Sequence, residues 1–431
     1  MSIPWISSIP EHWETHRAKN MFIKQNRTFS DEEDVVTCFR DGVVTLRKNR
    51  RTTGFTESTQ WSGYQGVRVG DLVIHVMDAF AGSIGVSDSN GKSTPVYSVC
   101  TQKGDINNYY YAYLLREMAR SGFIQSLYRG IRERSSDFRF EVFAGLYLPL
   151  PPRSEQDEIV RYLDWKVSQI NKLINAKKQQ IELLQEKERA MVNEIAMKDC
   201  NNWKEVSLGN LGKFRKGFGG SREDDDINGV ACIRYGDIYR TGVLLLNKPI
   251  TRINKLSSEK YARVYKNEIL FALSGESKEE IGQSLVNEID EDTWCSGDAA
   301  IFSAGKQIFP QYLIYVLRCS DLVKQRASLA KGDIIVHIST NALRRLRIKV
   351  PPFNEQKELA SFLTTQCIRI IKITSTLNDE ITLLNEYRTR LISDVVTGKL
   401  DVRDVVVPEY EAAPDISSDT EEDIEEDLEV Y

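Results

Sequence analysis

The chain has 431 residues, with 57 Lys+Arg against 62 Asp+Glu, a formal net charge of −5, 41% hydrophobic and 28% charged residues. That length suits two or three domains with a sizeable core, and no apolar run nears the roughly 20 residues a membrane-spanning helix requires. Taken whole, the mildly acidic balance argues against a nucleic-acid binder, which ordinarily carries basic charge to meet phosphates.

The opening stretch MSIPWISSIPEHW lacks the charged-then-apolar pattern of a signal peptide, so a cytoplasmic chain is expected. His12 and His16 are four apart beside Ile9-Pro10 and read as a surface pair. With His75 and His337 they form no ligand spacing among themselves or with the seven cysteines, Cys38, Cys100, Cys200, Cys232, Cys295, Cys319 and Cys367. No CxxC pair occurs, so reduced, mostly buried thiols are expected, with no metal site and no cofactor.

Residues 1–150 mix strands, Gly turns and helix. Val67–Ile74 reads as a turn and then a buried strand, and Tyr113-Leu114-Leu115-Arg116 as helix. Arg47, Lys48, Asn49, Arg50 and Arg51 place four cations in five positions ahead of Gly54; Lys92, Arg132 and Arg134 add more. Asn90-Gly91-Lys92-Ser93-Thr94 looks like the end of a phosphate loop. Val86, however, stands where the first Gly belongs, and Pro95 stops a following helix, so a Gly- and Lys-rich turn is expected.

Residues 151–199 read as one long helix. Pro151-Pro152 gives an extended approach, Ser154 can cap, and Glu155 suits the positive first turn. Ile170, Ile174, Ile181, Leu184, Met191 and Ile195 follow in steps of three, four or seven, the pattern of a coiled-coil seam. From 155 to 198 such a helix measures ~66 Å at 1.5 Å per residue.

Residues 200–350 repeat the first globule loosely. Trp203 answers Trp13, Val264–Phe271 answers Val67–Ile74, Glu280-Ile281-Gly282 answers Ser83-Ile84-Gly85, and Tyr315–Arg318 answers Tyr113–Arg116. Lys213, Arg215, Lys216 and Arg222 interleave with Phe214, Phe218 and three glycines; Arg234, Tyr235, Arg240 and Lys331 supplement them. Arg and Lys meet phosphates or the acceptor edge of guanine. Any one of these residues reads equally as a solvated loop, but as sets they point to DNA contact.

Residues 351–400 repeat the helix without a gap at an offset of 200, with twelve identities between 151–186 and 351–386. Pro351-Pro352 and Glu355-Gln356 recur as intact pairs, which chance pairing of two amphipathic helices does not explain. Asn354 stands for Ser154, the seam runs Ile370, Leu377, Ile381, Leu384, Leu391, Val395, and Thr397-Gly398 is a stop. Lys177, Glu188, Thr374 and Arg388 interrupt the seam. Frayed or partner-facing turns are the plainer account; the sharper one has Glu188 and Arg388 fixing how the helices pair.

Residues 401–431 hold 13 acidic residues and one basic one, leaving 56 basic against 49 acidic before them. The tail should be disordered, and the net charge is the sum of a basic body and an acidic appendage. Chemistry finds no footing. Leu150 and Val350 occupy the polar slot of an amino-methyltransferase loop, and Glu276-Ser277-Lys278 stands alone where a nuclease needs clustered carboxylates.

Over nearly all of residues 1–403 the chain resembles the specificity subunits of type I restriction-modification enzymes. The resemblance rests on the duplicated Pro-Pro-x-x-Glu-Gln helices, on Arg390–Lys399, on Leu211–Gly217 and on Ile233–Tyr239. It implies an α+β fold with a pseudo-twofold internal repeat: two target-recognition domains, 1–150 and 200–350, separated by spacer helices 151–199 and 351–400 in an antiparallel coiled coil. It also implies a non-catalytic subunit in which each domain reads half of a bipartite site on double-stranded DNA. The helices would set the spacing and dock methyltransferase subunits, two in number, which assemble with nuclease-translocase subunits; no membrane is involved. The DNA-binding residues expected are Arg47, Lys48, Asn49, Arg50, Arg51, Lys92, Arg132, Arg134, Lys213, Arg215, Lys216, Arg222, Arg234, Tyr235 and Lys331. The first helix departs from the family pattern, ending Glu194-Ile195-Ala196-Met197-Lys198 without Thr-Gly, and so does the acidic tail. A self-sufficient modification enzyme lacks the motifs it needs, and a coiled-coil scaffold for proteins alone leaves the Gly/Arg-rich loops unexplained.

Overall fold

The computed structural model describes residues 3–50, 63–127, 137–198, 200–240 and 242–411. The chain is α+β and divides into two compact units, one running to Lys178 and resuming at Asp379, the other spanning Gln179–Asn378.

In the first unit, strand Glu14–Arg17 pairs antiparallel with Tyr147–Leu150, Glu14 opposite Leu150, and so closes the globule at its two ends. An antiparallel sheet follows in the order Phe22–Lys24, Tyr97–Gln102, Leu72–His75, Ile84–Val86. Its central run Leu72–Ile74 is apolar without alternation because both faces are covered there. Leu72 and Ile74 turn into a core with Phe22, Tyr110, Tyr111 and Leu114, while Val73 and Val99 turn the other way to meet Val36, Val44 and Val67. Helix Asn108–Arg120 is capped by the Asn107 side chain, which accepts from the Tyr109 amide.

The second unit uses the same frame. Lys204–Ser207 pairs antiparallel with Arg347–Val350. The sheet order is Gly212–Lys216, Ala299–Ala304, Ile269–Ala272, Ser284–Asn287, which repeats the first unit strand for strand, with Leu245–Leu246 added at the edge. Ile269, Phe271, Ala300 and Phe302 face the core under helix Pro310–Val316. Leu270, Ala272, Leu285 and Ile301 face a second sheet built from Thr251–Ile253, Asp225–Ile233, Thr293–Cys295 and Ala262–Val264. The echo of Val67–Ile74 in Val264–Phe271 is thus a true equivalence. That of Ile84 with Ile281 slips: Ile84 pairs with Ile74, whereas Ser284, not Ile281, pairs with Phe271. Both isoleucines are buried apolar residues, so pattern alone aligns them.

The long helices are Arg153–Ala196 and Phe353–Val396, 44 residues each. Ser154 and Asn354 therefore sit inside the first turn and are not caps. The start is fixed instead by Gln156 and Gln356. In the first unit Gln156 donates to the Pro151 carbonyl at 2.9 Å and accepts from the Asn107 amide at 2.8 Å. In the second, Gln356 donates to Pro351 at 2.8 Å and accepts from Phe309 at 2.8 Å. Each Gln ties the diproline, its own helix and the globule's main helix into one joint.

Within the first unit the two helix segments run antiparallel, since Asn171 meets Arg388 at 2.6 Å and Lys177 meets Glu380 at 2.6 Å. Ile170 and Ile174 share a core with Leu391 and Val395, as the seam predicts. Within the second unit the buried residues are Val192 and Ala196 beside Ala360, Leu363 and Cys367, not Met191 and Ile195. A straight helix drifts ~20° per heptad against a 3.5-residue repeat, and about three heptads from Ile170 suffice to shift the face by most of a residue. The seam's polar interruptions are not frayed. Glu188 accepts from Arg318 at 2.7 Å, and Lys177 and Arg388 have the partners just named, so Glu188 and Arg388 serve different joints. Thr374 buries its hydroxyl.

Candidate nucleic-acid interface

In the first unit, Arg47–Asn49 form a short 3-10 turn after strand Val44–Leu46. Arg47 donates to Thr37 Oγ1 at 3.3 Å, Lys48 pairs with Asp34, and Asn49 donates to Thr45 Oγ1 at 2.8 Å. Arg50 pairs with Asp41 at 2.6 Å, its guanidinium 5.0 Å from the Phe39 ring centre. Lys48 and Asn49 are exposed; Arg47 and Arg50 are half-buried. Lys92 lies in strand Gly91–Ser93, paired with Gln65–Val67, and not in a turn. It is 2% exposed and donates to the Asp31 carbonyl at 2.7 Å, so its ammonium belongs to the fold. Asn-Gly before a lysine and Ser-Thr-Pro after it read as turn, and nothing local signals that the ammonium finds a carbonyl inside. Arg51, Arg132 and Arg134 lie outside the described residues.

In the second unit, Lys213, Arg215 and Lys216 stand on edge strand Gly212–Lys216. Arg215 places both terminal guanidinium nitrogens, Nη1 and Nη2, on Glu268, which also accepts from the Ser303 hydroxyl and, at 2.8 Å, from the Tyr265 amide. Burial works against ionising Glu268. Those hydrogen bonds, led by Arg215, outweigh it and hold the carboxyl below the ordinary glutamate value. Arg234 pairs with Asp225 and donates to the Ser221 carbonyl at 2.8 Å. Arg215 and Arg234 are therefore each held by an acidic partner within the unit. Lys213, Lys216, Arg222, Tyr235 and Lys331 are exposed.

Arg234 pins the loop Gly217–Ser221 from one side. From the other, Gly219 lies against the Lys260 backbone at φ +80°, where a Cβ would meet the Lys260 carbonyl oxygen at 2.1 Å. The loop thereby presents exposed Phe218. Beyond Arg234, helix Tyr235–Arg240 carries Arg240 at the surface, and Tyr239 donates to the Ser274 carbonyl at 2.9 Å. Ser274 Oγ lies 2.9 Å from His337 Nδ1, and strand Ser274–Gly275 pairs with Val336–His337. The Lys331 and His337 backbones exchange hydrogen bonds of 2.9 and 2.7 Å, closing a hairpin. Contacts thus link 217–222, 234–240, 274–278 and 331–337 in series, and the exposed residues of these segments make up the candidate surface.

Sequence reading marked Lys331 there but missed the hairpin around it, whose signal is Gly332 before an acidic residue and two isoleucines. The surface is mixed in sign. Arg222, Arg240, Lys278 and Lys331 stand with exposed Glu223, Glu276, Glu279, Glu280 and Asp333. Such a mixture offers donors and acceptors in a pattern, which suits base edges better than a bare phosphate grip. Among the described residues no group of His, Cys, Asp or Glu is placed to hold a metal ion, and no helix is long and apolar enough to cross a membrane.

Residues 201–383 match the family described as type I restriction modification DNA specificity domain. The chain is 22% identical over 434 residues to the putative type I restriction enzyme MjaX specificity subunit of Methanocaldococcus jannaschii, covering 92% of this chain and 96% of that one. It is 24% identical over 285 residues to the MjaVIII specificity subunit of the same organism, covering 62% and 64%. Among solved structures, a chain from work on complex assembly and conformational transition of the type I R-M system matches with TM-score 0.71 at 14% identity, over 91% of this chain and all of that one. The HsdS subunit of Thermoanaerobacter tengcongensis matches with TM-score 0.51 at 14% identity, over 91% and 98%. At such identities the structures speak for the fold alone.

Proposed function

We propose a function from the premise that this chain belongs to the specificity subunits of type I restriction-modification enzymes: it selects the DNA sequence on which partner subunits act, and performs no chemistry itself. Each unit reads one half of an asymmetric bipartite site. The long helices set the spacing between halves and dock methyltransferase subunits, two per chain, which bring the nuclease-translocase subunits into the complex.

One observation carries this reading. The two units share a sheet order and the same Gln-centred joint, yet differ in the loops laid over that frame. Two readers on one frame with different surfaces call for two different half-sites. Helices of ~66 Å are long enough to serve half-sites one or two turns apart, at ~34 Å per turn.

Sequencing the methylation pattern left on DNA by the chain assembled with its methyltransferase partner tests the reading. A split, asymmetric motif is expected. Exchanging residues 1–150 for those of a relative should change one half of that motif and leave the other. A change in both halves, or a continuous palindromic motif, overturns it.

A further inference from the structure

We propose that the hairpin Lys331–His337 is the base-reading finger of the second unit. Ile334 and Ile335 would seat against thymine methyl groups in the major groove, and Asp333 would accept a hydrogen bond from an exocyclic amino group. The inference rests on the DNA-specificity reading above and assigns its discriminating residues.

The hairpin is built to hold its tip still. Gly332 sits at φ +104°, and a Cβ there would meet the Ile335 carbonyl oxygen at 2.1 Å, so the turn closes tightly on itself. The Lys331 and His337 backbones bond reciprocally behind it. Strand Val336–His337 is paired with Ser274–Gly275, and the His337 ring is fixed by Ser274 Oγ at 2.9 Å. Val336 is buried, whereas Ile334 and Ile335 are 89% and 59% exposed. Two β-branched apolar side chains are thus held in water on a preformed support, so little ordering entropy remains to be lost on contact.

The surroundings identify the occupant. Lys331 and Lys278 flank the tip, Lys278 lying 3.7 Å from Asp333, and Arg240 stands on the neighbouring helix. Asp333 itself is exposed, as are Glu276, Glu279 and Glu280, so the patch does not attract anions uniformly. A protein partner would need roughly 800 Å² on each side for a stable interface, far more than two isoleucines on a charged rim supply. A two-stranded ribbon, by contrast, fits the major groove, ~12 Å wide. There each thymine offers a methyl group, cytosine and adenine offer an amino donor, and phosphates lie on the rim for lysines to meet. Apolar tip, single acceptor and flanking cations match that order.

The test uses the full chain assembled with its methyltransferase partner and duplexes carrying the target found by methylation sequencing. Deoxyuridine replaces thymine, one position at a time, through the second unit's half-site, which deletes only the C5 methyl. Wild type should lose about fourfold in affinity for each contacted methyl. The Ile334→Ala/Ile335→Ala variant should show that loss already on normal DNA and be indifferent to deoxyuridine at the same positions. Its thermal unfolding should be unchanged, since both side chains are in water. A half-site without thymine, a wild type indifferent to every deoxyuridine, or a variant still sensitive to it each overturns the finger. Failure of wild type to select any bipartite target overturns the underlying reading instead.

Discussion

The indole N–H of Trp13 donates to Glu155 Oε1 at 3.0 Å, and in the second unit that of Trp203 donates to Glu355 Oε1 at 3.2 Å. Each tryptophan stands one residue before the first strand of its globule, and each glutamate in the first turn of a long helix. The bond therefore locks the chain's approach to the globule onto the helix through which the globule exits. Glu155 additionally lies 2.9 Å from His12 Nε2.

Loss of that acceptor leaves a buried indole N–H without a partner, a cost of about 1–3 kcal/mol. Glu155→Ala should lower the unfolding free energy by that amount, and Trp13→Phe in the same background should recover part of it. A denaturant double-mutant cycle reads the coupling; additivity of the two changes would show that the bond does not matter.

Glu268 supplies an acid-sensitive joint. Its folded carboxyl titrates below the ordinary glutamate value of about 4.3, held there by Arg215 and Ser303 against the effect of burial. The stabilisation is complete above that value and fades as pH falls through the lower folded one. Arg215 is partly exposed, which tempers the pair to about 2 kcal/mol. Glu268→Gln should lower stability at pH 7 by that much and flatten the acid limb of a stability–pH curve.

Two kinds of cation should separate by salt. Lys216→Ala and Arg222→Ala, at exposed positions, should each reduce the slope of log affinity against log salt by about one if they meet phosphates. Lys92→Ala should leave the slope alone and cost about 1–3 kcal/mol of stability, because the Asp31 carbonyl loses its buried donor. Binding titrations at three or more salt concentrations beside thermal melts distinguish them.

Gly219→Ala asks a Cβ to occupy space held by the Lys260 carbonyl, at a positive φ. The loop must shift or strain by about 1–3 kcal/mol, which should weaken specific DNA binding more than it lowers the melting temperature. Gly236, with open space around it, is the control position.

The acidic tail predicts its own effect. The Ser168 hydroxyl meets the Glu411 carbonyl at 3.5 Å, so a truncation of 412–431 spares the docked segment. If the tail competes with DNA for the basic loops, the shortened chain should bind random DNA severalfold more tightly at low salt, with the difference vanishing as salt rises. Equal affinities at low salt would dismiss the competition.

Much of the frame was legible because duplication writes it twice. Pro-Pro-x-x-Glu-Gln, recurring at an offset of 200, placed the starts of both long helices to within two residues and their ends to within four, and the heptads gave Ile170, Ile174, Leu391 and Val395 as core. What Glu155 and Gln156 do was hidden, since their partners Trp13 and Asn107 are distant in sequence. The internal partners of the cations were hidden for the same reason: Lys92, Arg215 and Arg234 look like their exposed neighbours until the strands bring Asp31, Glu268 and Asp225 beside them. The hairpin tip escaped because Ile334 and Ile335 look like strand core when read without the turn that turns them outward.

The division of the chain into units has a consequence for synthesis. The second unit, Gln179–Asn378, is continuous and can complete its core as soon as those residues have left the ribosome. The first unit draws Leu391, Val395 and Val396 from the far end of the chain, with Tyr110 donating to the Val396 carbonyl at 3.0 Å. Although its globule is translated first, it is sealed last, and translation arrested before Asp379 releases a finished second reader beside an open first one.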